Sequence, residues 1–232
     1  MHVLPALVGA LVGLLGGLLV PRLIALCPEP EHNPAENPEE FPDHVPFAEL
    51  AARPGLALRS AIAGAVAGAA LAGVTGWAWG LPWLLFLVPI GIALSVIDYV
   101  TWYLPSRLIW PSYAVVLALE VVATIALEEP QVLVLGAIGF AGLGLYYGLM
   151  WFISPRIMAF GDVRLGALLG LALGPFGIGT LLVSVVAAAL LAVLALVPMR
   201  RGGTMIRRKV PYGPYLVAGA LVAVVLGQVL SS

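Results

Sequence analysis

The sequence predicts an all-α, polytopic membrane helix bundle of about eight transmembrane helices with both termini outside, and three observations lead there. First, 62% of the 232 residues are hydrophobic and only 10% charged, with a mean hydropathy of +1.07, well outside the range of soluble globular proteins. Second, the apolar residues gather into runs fit for a hydrocarbon core of roughly 30 Å, which a helix of about 17 to 25 residues crosses. Third, when those runs alternate in direction, all 11 basic residues fall on one side.

The first run, 3 to 26, repeats small residues at Gly9, Gly13 and Gly17, a spacing that lets helix backbones approach closely. It ends in LIALC, which superficially resembles a lipoprotein processing site. Leu26 stands where a small residue is needed and no basic segment precedes the run, so a retained helix is expected. Cys27 is the single cysteine, which excludes an internal disulfide or a thiolate metal cluster within one chain.

Residues 27 to 56 hold seven prolines and seven acidic residues against the single Arg53, a net charge of −6. Such a stretch buries too little apolar surface to order itself, so a solvated cytoplasmic linker is expected. His32, His44 and nearby carboxylates offer an alternative metal site, but proline-rich flexibility works against preorganised ligands, and no metal is expected. On this side of the membrane the acidic charge is also placed to steer a basic partner by long-range attraction.

Residues 57 to 232 form the membrane-embedded core. Its runs lie at 57 to 79 with Gly64 and Gly68, 82 to 98 ending on Asp98, 105 to 127 containing Glu120, and 131 to 153 with Gly144 and Gly148. Pro105 suits the first position of its helix. The run at 162 to 175 starts on Asp162, carries Gly166 and Gly170, and is short for a full crossing. Gly174, Pro175 and Gly177 must reverse it tightly into 176 to 198, and the last run is 212 to 230. The glycine repeats are expected to serve packing within the chain. Glu120 lies nearer the outer face, where an acid hydrogen-bonded to a neighbouring helix is expected.

Charge sets the orientation. The basic side receives Arg22, Arg53, Arg59, Arg107, Arg156, Arg164, Arg200, Arg201, Arg207, Arg208 and Lys209, while Glu128 and Glu129 lie opposite. The positive-inside rule then makes the basic loops cytoplasmic, and Asp98 and Asp162 share that face. A formal net charge of −1 gives no reason to expect nucleic acid as a partner.

A lone carboxylate at membrane depth is costly and usually functional, so the pair stands out. Two adjacent carboxyl groups divide into one ionised and one protonated because both cannot ionise cheaply. The ionised group can take a proton from water while the other donates to a peptide carbonyl, and the titration belongs to the pair. Asp98 at the C-terminal end of its helix is expected to be the resting acid, and Asp162 at an N-terminus the resting base. The same acids would also serve a proton-coupled transporter or channel, although no inverted repeat of broken helices is evident.

Three stretches carry a resemblance to a family. IDYVTWYLP at 97 to 105, AFGDVRL at 159 to 165 and KVPYGPYLVAGAL at 209 to 221 resemble, in order, the first aspartate motif, the second and the C-terminal motif of type IV prepilin peptidases. These are intramembrane aspartic proteases known by a GxGD signature, and the resemblance covers roughly residues 82 to 230. It implies a multi-pass enzyme of a prokaryotic cytoplasmic membrane, with Asp98 and Asp162 catalytic. The implied substrates are type IV prepilins or related pseudopilins, cut after a short basic leader, with the product entering a pilus or a secretion filament. Ala159, Phe160, Gly161 and Arg164 with Pro105, Pro211, Tyr212, Gly213 and Pro214 would form the rim.

Two departures qualify it. Ala159 replaces the first glycine of the signature, a costly change if that position needs positive φ. Bifunctional relatives carry two CxxC pairs in the first loop, an apparent zinc module, and also methylate the product with S-adenosylmethionine. Cys27 alone cannot form a four-thiolate site, so hydrolysis, which requires no cofactor, is the expected activity, and methylation stays open.

Overall fold

The computed structural model describes residues 2–30, 45–155, 158–196 and 211–231. Among them every regular element is a helix: α1 (Val3–Leu18), α2 (Val20–Ala25), α3 (Phe47–Ala51), α4 (Leu56–Thr75), α5 (Leu81–Thr101), α6 (Ser106–Leu127), α7 (Gln131–Ile153), α8 (Phe160–Leu173), α9 (Ile178–Leu196) and α10 (Gly213–Ser231). Six of them, α4, α5, α6, α7, α9 and α10, are long and apolar enough to cross a membrane. The first run is an apolar α1 shorter than these, followed across Leu19 by the proline-opened α2. The 162 to 175 run is the 14-residue α8.

Glycine brings α1 against α4. A Cβ on Gly9 or Gly13 would collide with the backbone carbonyl of Gly68 or Gly64, and one on Gly17 with that of Ser60. The repeat is thus consumed by packing inside the chain, as close helix contact in membranes requires. Gly139 and Gly170 meet in the same way between α7 and α8.

α5 is the central helix, with 56% of its membrane-length window buried against 22 to 39% for the other five. α8 lies beside it and needs no full membrane length, because eleven of its fourteen residues are buried in protein. The indole N–H of Trp83 on α5 donates to the Ala172 carbonyl at 3.0 Å, fixing the two helices. Gly174–Phe176 forms a 3-10 turn and Gly177 takes φ +97, which makes the tight reversal into α9.

The acidic stretch is more ordered at its end than its composition implies. The Phe47 N–H donates to Glu29 Oε1 at 2.6 Å across the loop. Phe47 and Leu50 of α3 are almost fully buried, with Phe47 stacked on Tyr103 at 6.2 Å. Two apolar side chains with a ready pocket outweigh the polar composition around them. His32 and His44 lie outside the described residues.

Candidate active site

Asp98 sits in the last turn of α5, one turn deeper than the expected end at 98, and is 4% exposed. The helix continues to Thr101 and closes on Trp102, which adopts a left-handed conformation and donates its N–H to the Asp98 carbonyl at 2.9 Å. Three residues on, buried Pro105 precedes α6. Asp162 lies in the first turn of α8 and is 5% exposed. Its Oδ2 accepts the Ala159 N–H at 3.1 Å, so it satisfies one of the amides that a helix start leaves open.

Asp98 is held from far along the chain. Its Oδ2 accepts the N–H of Gly213 at 2.8 Å, the first residue of α10. A Cβ there would come within 2.8 Å of that oxygen and 3.2 Å of Cγ, so glycine is what allows the approach. Each aspartate therefore rests on a helix N-terminus, Asp162 on its own and Asp98 on α10. The expected assignment of acid and base set the C-terminal end of α5 against the start of α8; the start of α10 adds a second positive helix end, facing Asp98.

The two carboxylates are close enough to interact electrostatically. Oδ1 of Asp162 is buried without a hydrogen-bond partner among the described residues. A free acceptor in an enclosed site, beside a second carboxyl, is where a water or a substrate oxygen would be handled. The charge of Asp162 also reaches the phenols of Tyr147 and Tyr212, whose rings meet at 6.4 Å.

Tyr147 is a residue that sequence reading missed. It is 2% exposed, and its ring lies so close over Gly166, one turn beyond Asp162, that a Cβ there would strike it. Within LGLYYGLM it reads as one more residue of an apolar run; only the facing gap at Gly166 distinguishes it.

The remaining rim residues divide by role. Ala159 takes φ −80 and ψ 152, which any residue adopts, so its methyl is compatible with the signature. Gly161 is helical, and its value is space: a Cβ would lie 2.9 Å from Leu104 Cβ. Phe160 is half exposed, packs on Trp151 at 5.1 Å and lies 5.5 Å beneath the Arg164 guanidinium. Arg164 donates from Nη1 to Ser106 Oγ, and its carbonyl accepts the Tyr113 hydroxyl at 2.6 Å, which joins α8 to α6. Pro211 and Tyr212 lead into α10, and Pro214 faces a neighbouring groove.

A zinc-thiolate centre does not fit. Cys27 is buried, its thiol donates to the Leu23 carbonyl at 3.3 Å, and burial pushes its pKa up to about 11. Glu120 is fully buried, and neither carboxyl oxygen has a hydrogen-bond partner among the described residues. The expected bond to a neighbouring helix is replaced by contact with Gly136 of α7, where a Cβ would lie 2.5 Å from Glu120 Oε2.

Compared with known proteins, the chain matches no family model, no curated protein and no solved structure.

Proposed function

We propose that this protein is an intramembrane aspartic endopeptidase that removes the basic leader from type IV prepilins or related pseudopilins at the cytoplasmic face of a prokaryotic membrane. The observation that carries the reading is two buried aspartates from distant parts of the chain, close enough to interact electrostatically and each with one oxygen tied to a backbone N–H. The order of the three motifs supplies the substrate class. Eight crossings belong to the same reading, with α1 and α2 as the first span and α8 as the sixth, and both termini outside.

The chemistry needs one carboxylate and one carboxylic acid. The carboxylate takes a proton from a water between them as the water oxygen adds to the scissile carbonyl, while the acid gives its proton to the carbonyl oxygen. The C–N bond of the tetrahedral intermediate then breaks as the leaving amine takes the proton drawn from the water, while a hydroxyl of the intermediate returns its proton to the other aspartate as the product C=O re-forms, which restores the pair. Fixing one oxygen of each carboxyl holds the others for this exchange.

The test is leader cleavage in membranes by the parent, Asp98→Ala and Asp162→Ala chains. Cleavage is expected to vanish in both variants. Persistence in either removes the dyad, and proton flux without cleavage replaces the peptidase by a transporter.

A further inference from the structure

Beside the aspartate pair, between α4, α5, α8 and α10, lies a partly open cavity of about 580 Å³. Its wall is apolar, built from residues such as Leu71, Val88, Leu168 and Val217. Its mouth is not. Arg53 and Arg59 line the groove together with Tyr99 and Pro214, the immediate neighbours of Asp98 and Gly213. Both arginines are exposed, and neither makes an ion pair with another described residue. α4 also begins beside them with no side-chain cap and no acidic residue in its first turn.

We infer that this groove is a binding site for an anionic phospholipid of the leaflet on the aspartate side, with the phosphate on Arg53 and Arg59 and an acyl chain along the apolar wall. The charge pattern selects this occupant. Two guanidinium groups offer planar forks that match phosphate oxygens, and basic pockets between membrane helices on the cytoplasmic side are places where anionic head groups bind. Length agrees as well. On α4 the lining runs from Leu56 to Leu71, about 22 Å at the helical rise, enough for a chain crossing one leaflet of about 15 Å. The inference does not rest on peptidase activity.

Native mass spectrometry of the full chain, released from bilayers of equal phosphatidylglycerol and phosphatidylcholine, tests it. The wild type is expected to retain phosphatidylglycerol preferentially, and the double variant Arg53→Gln/Arg59→Gln to lose that preference at least about tenfold. Arg22→Gln, a basic residue outside the groove, is expected to keep it. Ala67→Trp, which fills the groove without touching charge, is expected to lower retention. Equal retention of both lipids by the wild type, unchanged selectivity in the double variant, an equal loss in Arg22→Gln, or full retention in Ala67→Trp would each overturn the site. So would a crosslink placing a substrate's apolar helix in the groove that phosphatidylglycerol does not displace.

Discussion

Gly213→Ala tests the pairing without removing either carboxylate. The added Cβ would stand 2.8 Å from Asp98 Oδ2, and ordinary contact begins near 3.4 Å, so about 0.6 Å of separation must be found. The carboxylate is the movable partner, being the end of a side chain facing a helix backbone. The chain therefore folds, but Asp98 shifts and its 2.8 Å bond from Gly213 N–H lengthens. A hydrogen bond to a charged group contributes about 1.5 to 3 kcal/mol. If that loss reaches the transition state in full, cleavage slows about 10-fold to 150-fold. The assay is initial-rate leader cleavage in reconstituted membranes, with thermal unfolding in parallel. Gly142→Ala is the control, because nothing lies within 4 Å of its added Cβ. A Gly213→Ala variant that cleaves at the parent rate would refute the claim that α10 positions Asp98.

Glu120→Met exchanges a buried acid without hydrogen-bond partners for a side chain that needs none. The protein is expected to gain about 1 to 3 kcal/mol with cleavage unchanged, measured by unfolding in detergent; destabilisation would mean that Glu120 has a partner. Cys27, with its pKa raised by burial from 9.0 to about 11, has about a hundredfold less thiolate at pH 8 than an unperturbed thiol. Maleimide labelling of the folded protein is therefore expected to be at least that much slower than after denaturation, and equal rates would contradict the buried placement.

The helices were legible where punctuation is strong. Pro105 and the acidic pair at Glu128 and Glu129 bound α6, and α7 runs from Gln131 to Ile153 as its apolar run does. The aspartates were legible because charge in an apolar chain is conspicuous. Their environment was not. Gly213 could be placed on the rim, but its donation to Asp98 depends on two segments 115 residues apart. Phe47 and Leu50 were hidden by the acidic composition around them, since their burial depends on Tyr103 and Glu29 from elsewhere. Tyr147 left no sequence signal because its partner is a missing side chain at Gly166.

The Gly213 contact also gives the site an order of assembly. By the time residue 162 has been made, both acids are present, but Asp98 still lacks the donor that fixes it. That donor arrives with α10, the last of the helices described. During synthesis the chain therefore carries a loosely held carboxylate pair until α10 docks. If the pair is the proteolytic centre proposed above, this order keeps it incomplete while its own chain is still threading into the membrane.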